Sequence, residues 1–219
     1  MKKSHKVWLF LILPALVLSS VGIASIVKAR TYNPYELKDG DIVFQETASS
    51  KGKAVKAATN SRWTHVGMVF FKNDKPMVIE AVQPVRITPL SKFIARSPSS
   101  FYAMRLKDAN KHLNTNSIAK ANKYGTKQLG KNYDVQFRWS DEKIYCSELV
   151  WKIYKEAIGI ELCKPRQFKD YNLSHPTVKR IIEQRYGSVS NLPLDELVVA
   201  PSDLAESDLL VEVPRKDKK

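Results

Sequence analysis

The chain has 219 residues, a formal net charge of +14 and 43% hydrophobic residues, enough to bury a sizeable core. No internal repeat or low-complexity tract interrupts it, which sets aside repeat architectures and disordered tails. Its two cysteines and four histidines lack the spacing of a zinc site, and it has no phosphate-binding glycine loop and no nucleic-acid motif, so neither metal nor cofactor nor nucleic acid is expected.

Residues 1–30 read as an export signal or N-terminal membrane anchor. MKKSHK precedes the uncharged run VWLFLILPALVLSSVGIASIV, which is long and apolar enough to enter a bilayer. Lys2, Lys3 and Lys6 keep that end in the cytoplasm by the positive-inside rule and send the rest across, toward the periplasm or cell envelope. This leader holds five basic residues and no acid, so residues 31–219, read as one domain, keep 31 basic against 22 acidic residues. In an exported protein that excess fits anionic lipid headgroups or acidic wall polymers, or simply a solvated basic surface.

In chain order, LKDGDIVFQE (37–46) predicts a turn at Asp39–Gly40 and a short strand, and SSKGKAVKAATNS a short helix ending near Asn60. THVGMVFFKNDKPMVIEAV (64–82) predicts a hairpin turning at KNDK. A loop or short helix and the strand FYAMRL follow Pro89. Residues 115–129 predict a helix capped by Asn114 or Thr115 and ended by Gly130. The polar, aromatic-rich KNYDVQFRWSDEK leads into a helix over IYCSELVWKIYKEAIG (144–159). That helix should bury Cys146, Leu149, Val150, Ile153 and Ala157, expose Lys152, Lys155 and Glu156, and stop at Gly159. One more helix has Pro176 in its first turn and Gly187 past its end. A short apolar run, a turn and a last strand close the domain, with RKDKK as a frayed tail. Strands and helices segregate, which predicts an α+β fold.

Three side chains stand out. With Asn73 and Asp74 as a two-residue turn, Gly67 faces Glu80 and His65 faces Val82. His65 and Glu80 then share one face diagonally, across a glycine that leaves room. A carboxylate so placed would fix the tautomer of a basic histidine. The plain alternatives are a satisfied, half-buried histidine at a strand end for His65, and an edge strand with one wet face for Glu80. Cys146 sits in the first turn of its helix, where the macrodipole favours a thiolate, but a cysteine on an apolar helix face also serves as a small core residue. Pairing with Cys163 is not expected, since several helical turns separate the two. His112 and His175 lie in polar segments and are expected to be exposed.

GDIVF, THVGM, VIEAV, LGKNYD with a following Phe, and YCSELVW, in that order, resemble the YiiX/YebB-like family, bacterial relatives of the NlpC-type peptidases of the papain-like superfamily. The likeness runs from about Leu37 to Val213. It implies a circularly permuted papain-like fold, with an antiparallel sheet packed against the cysteine-bearing helix and the histidine and its orienter preceding the cysteine. It further implies Cys146 as nucleophile, His65 as base and Glu80 as orienter in an acyl-transfer reaction. The Cys146 amide is then one oxyanion donor and Tyr145 or Tyr133 a candidate second, while Ser147 and Glu148 stabilise the helix start. The expected function is amidase or peptidase action on a cell-envelope peptide or amide. The alternatives are a lipid-directed esterase or acyltransferase, and a ligand-binding module with an unused pocket. A pocket open to aqueous peptide would favour the first, and an apolar tunnel of acyl-chain width the second.

Overall fold

The hairpin organises the fold. A computed structural model describes residues 32–216, so the predicted leader and the last three residues lie outside the described residues. Strands β2 (His65–Lys72) and β3 (Lys75–Glu80) pair antiparallel with Met68 opposite Ile79 and Lys72 opposite Lys75, the predicted register. Asn73 and Asp74 form the turn with φ of +50° and +58°, a left-handed pair that Asn and Asp tolerate and that matches strand twist.

Around it, β1 (Ile42–Gln45), β4 (Arg86–Pro89), β5 (Tyr102–Leu106) and β8 (Leu210–Glu212) complete an antiparallel sheet in the order β4-β3-β2-β1-β5-β8. Both faces are covered, so the strands alternate between two apolar cores instead of between core and water. Ile42, Phe44, Val66 and Met68 face the helix bearing Cys146, whereas Val43, Val69 and Val78 face α2 (Leu90–Ala95) through Leu90, Phe93 and Ile94. Glu80 is therefore not on a wet edge; it is fully buried.

Helix α1 (Ser50–Thr59) is capped by the Ser49 side chain and ends at Asn60 with φ of +50°. After the short α3 (Ala109–His112), α4 (Thr115–Lys127) starts at Asn114, whose side chain accepts from the Asn116 and Ser117 amides. Helix α5 starts at Cys146 and is α-helical to Lys152, then continues with π-helical winding over Ile153–Ile158 before Gly159. Helix α6 (Pro176–Tyr186) packs on α1, with Val178 and Ile182 against Ala57 and Ala58. A two-stranded ribbon, β6 (Arg166–Gln167) and β7 (Leu197–Val198), lies beside them.

Three expectations are corrected. Lys152 is buried, because its ammonium lies 2.9 Å from the buried Glu148 one turn earlier and 3.0 Å from Asp141. The segment read as a turn before the last strand is helix α7 (Pro201–Ala205), with proline at its first position, where no amide is needed. The tail is paired, not frayed, as far as it is described: Arg215 bridges Tyr35, and the Lys216 amide donates to Pro34.

Gly67 is the tightest point of the hairpin. A Cβ there would lie 2.5 Å from Val78 Cγ1 and 2.9 Å from the Ile79 carbonyl oxygen. Gly67→Ala is expected to cost about 2 kcal/mol of stability by overpacking, read as a lowered urea midpoint; an unchanged midpoint would show that the strands separate without cost.

Candidate active site

The register that makes the hairpin also brings His65 to Glu80. Glu80 Oε2 accepts from His65 Nε2 at 2.6 Å and from the Arg96 guanidinium at 2.6 Å, and Oε1 accepts from Thr88 Oγ1 at 2.6 Å. Three donors outweigh burial, which alone would raise its pKa, and hold the carboxyl down at about 2. The ring of Phe93 stacks on His65 at 5.8 Å, and Gln45, opposite His65 in the register, ties to the Phe93 carbonyl at 2.6 Å. The imidazole is thus fixed on one nitrogen and one face, which leaves Nδ1 for the sulfur.

Cys146 arrives from the other side of the sheet. The loop before α5 is anchored by the Gln83 side chain, which accepts from the Tyr133 amide at 2.6 Å, and by a parallel bridge from Tyr133 to Ile144. At the helix start, Glu148 accepts from the Tyr145 amide at 3.3 Å as a first-turn carboxylate should, whereas Ser147 donates to the Val199 carbonyl and serves packing. Cys146 is 4% exposed. Burial alone would raise its pKa, but the neighbouring His65 imidazole and its charge, the charge of Lys51 and the Val66 amide bring it down to about 7. His65 moves up in turn: burial disfavours its charge, and Cys146 and Glu80 more than compensate. This mutual shift is that of a thiolate–imidazolium pair steadied by a carboxylate.

The two tyrosines part company. Tyr133 puts its hydroxyl 4.0 Å from Cys146 Sγ, and burial raises its pKa so that it keeps its proton. Tyr145 accepts from the Val199 amide at 3.1 Å and packs edge-on against Phe137. Neither cysteine is in a disulfide, and Cys163, pushed up to about 12 by burial, stays protonated. His175 is exposed and caps α6, and His112 is partly exposed.

Thr88, Arg96 and Lys51 were not singled out from the sequence. Nothing marks Thr88 or Arg96 before the fold is known, because they reach Glu80 from β4 and from the end of α2. Lys51 did carry a signal, a lysine at the helical spacing of the apolar face formed by Ala54, Val55 and Ala58. Cys146 opens on a cleft of about 850 Å³, counting its solvent-facing part, between α1, α6 and the loop before α7. Its wall is apolar, with Val55, Phe137, Phe168, Ile181, Leu192 and Val198 among the lining residues.

Residues 36–213 match the family model described as "Permuted papain-like amidase enzyme, YaeF/YiiX, C92 family". The chain belongs to this family. It is 37% identical over 182 residues to the uncharacterized protein YiiX of Escherichia coli strain K12, covering 83% of this chain and 88% of that protein. It is also similar to a crystal structure of YiiX from Escherichia coli O157:H7, described as a metalloprotein, with a TM-score of 0.76, 37% identity, and coverage of 83% of this chain and 99% of that one. The fold is thus the permuted papain-like one that the order His65, Glu80, Cys146 implies, and amide hydrolysis is the reaction class at the level of the family.

Arg96 donates a charged bond to a buried carboxylate, so Arg96→Ala should raise the Glu80 pKa. A depressed folded pKa gives stability that is present above the unfolded carboxyl value and lost as pH falls through the folded one. The wild type should lose this contribution progressively as pH falls from the ordinary carboxyl value toward about 2, whereas the variant, less stable at pH 7, has less of it to lose and should show a smaller drop in urea stability between pH 7 and 3. Equal drops in the two proteins would remove Arg96 from the account.

Proposed function

We propose that this protein is a thiol acyl hydrolase in which Cys146 is the nucleophile, His65 the acid–base and Glu80 the group that orients and charges His65. The observation that carries this reading is the buried sulfur–imidazole–carboxylate row, with the thiol pKa brought down to about 7, at the end of an apolar cleft. Cys146 thiolate adds to the carbonyl carbon, and the oxyanion faces the Cys146 amide at the helix start and the Tyr133 hydroxyl. Tyr133 suits this better than Tyr145, whose oxygen is taken up by the Val199 amide. Imidazolium His65 passes its proton to the leaving nitrogen or oxygen, and the carbonyl remains on sulfur as a thioester. Neutral His65 then takes a proton from water, the hydroxide adds, and the acid leaves as the thiol is restored.

The cleft supports a substrate with an apolar acyl part. A polar envelope peptide would leave Val55, Phe168 and Ile181 wet or bury its own amides unpaired. Of the two substrate classes expected from the sequence, lipid-directed amide or ester cleavage therefore has the better support, with the leader delivering the domain to the cell envelope and its basic surface favouring anionic membranes. The YiiX crystal structure is described as a metalloprotein. Here, among the described residues, no group of three or more His, Cys, Asp or Glu could hold a metal ion. Cys146 and His65 amount to two donors, and one ring nitrogen belongs to Glu80, so the steps above use the chain's own side chains.

Release of decanoate from N-decanoylethanolamine, followed by mass spectrometry, tests the assignment. Cys146→Ala and His65→Ala should lower turnover by on the order of 10⁴-fold and Glu80→Gln by about 10²-fold, each with a native circular-dichroism spectrum. The kcat/KM profile should be bell-shaped, rising through about pH 7 as Cys146 ionises and falling as His65 loses its proton. Turnover by Cys146→Ala equal to wild type would leave only the non-catalytic binding module.

A further inference from the structure

The cleft that reaches Cys146 holds two cations where apolar side chains are expected. Lys51 lies on the face of α1 that presents Ala54, Val55 and Ala58 to the cleft, and Arg185 on the face of α6 that presents Val178, Ile181 and Ile182. Each stands three, four or seven residues from these apolar neighbours, on one face of its helix, and each is only partly exposed. Lys51 Nζ is 3.9 Å from the centroid of the Tyr133 ring, and Arg185 Cζ is 5.0 Å from that of Phe137. Those two rings meet edge-on at 6.3 Å, and the Tyr133 hydroxyl is 4.0 Å from Cys146 Sγ. Two cations therefore sit on adjoining rings beside the reacting sulfur.

Among the described residues, neither Lys51 Nζ nor the Arg185 guanidinium has a salt-bridge or hydrogen-bond partner, whereas Lys56 and Arg62 nearby pair with Glu46. Asp134 is within electrostatic range of Arg185, but its two oxygens are taken by the Gln136 and Arg138 amides. Burial disfavours the charge on both cations, and each also feels its surroundings: Lys51 is opposed by Arg185 and favoured by Cys146. The thiolate accounts for Lys51 alone, since Cys146 is not among the groups acting on Arg185. Holding two like charges in an apolar wall is unfavourable unless an anion enters between them.

We infer that Lys51 and Arg185 form an anion subsite that selects substrates whose leaving group carries a carboxylate or a phosphate. The inference rests on the thiol hydrolase reading for its chemistry. The acyl chain occupies the apolar wall, so the anion belongs to the part of the substrate on the other side of the scissile bond, an amino acid or a phosphorylated amine or alcohol. Cys146 attacks the same carbonyl as before, and the protonated amine or alcohol departs with its anionic group held by the two cations.

Three amides separate the possibilities: neutral N-decanoylethanolamine, N-decanoylglycine with a carboxylate, and N-decanoylphosphoethanolamine with a phosphate. With the 219-residue chain at one fixed pH, either or both anionic amides should exceed the neutral one in kcat/KM by about tenfold, and whichever is preferred identifies the anion. In Lys51→Gln and in Arg185→Gln the preference should collapse toward unity through a raised KM for the anionic amide, and Lys51→Arg should restore it. Because the ratio is taken within one enzyme at one pH, a change in thiol ionisation alone would not move it. Binding to the Cys146→Ala protein by calorimetry should show the same preference without turnover. If none of the amides is hydrolysed, the hydrolase reading fails, and the binding ratio still judges the subsite. Equal kcat/KM and equal affinity for the neutral and anionic amides would overturn the subsite and leave the hydrolase reading standing.

Discussion

The buried carboxylate of Glu80 is the constraint around which the site is built. A charge with no solvent exposure is tolerable only if donors surround it, and His65, Thr88 and Arg96 each give one at 2.6 Å. The three come from β2, β4 and the end of α2, so satisfying one carboxylate also locks the relative positions of three elements. Its effect passes outward along the row. The charge on Glu80 favours imidazolium at His65, and imidazolium favours thiolate at Cys146. Without the first link the second would be an ordinary buried histidine facing an ordinary buried thiol.

The same logic explains why both faces of the sheet are covered. Helix α2 and its Phe93 seal the face on which His65 meets Glu80, and α5 brings Cys146 from the opposite face to the end of β2. The site thus lies where the two cores meet at the strand end, dry on two sides and open to the cleft on the third. Chain order does not enter into this geometry, so in a permuted chain the cysteine can come last and still meet the histidine from the other face of the sheet.

What the sequence made legible was local and periodic. The Asn73–Asp74 turn sets the hairpin register, and the register alone aligns His65 with Glu80 through the space left by Gly67. Caps at Asn114 and Gly187 and the apolar face of α5 follow from side-chain types at fixed offsets. What stayed hidden depends on partners distant in sequence. Arg96 and Thr88 look like any other basic and hydroxyl side chain until β4 and α2 fold over Glu80. Lys152 has an exposed residue's chemistry and a buried position because Glu148 draws it inward. The apolar character of the cleft arises between α1 and α6, from residues that each look like ordinary core. By contrast, Lys51 interrupts an apolar stripe, a departure from pattern of the kind that marks function.

Absorbance of the thiolate in the far ultraviolet, titrated from pH 4 to 10, tests the central claim most directly. One thiolate should appear with a midpoint near 7 and be absent from Cys146→Ala, because burial keeps Cys163 protonated throughout the range. If the wild-type chain shows no thiolate until the pH passes the ordinary cysteine value, Cys146 is a core thiol and the row from Glu80 to sulfur does not operate.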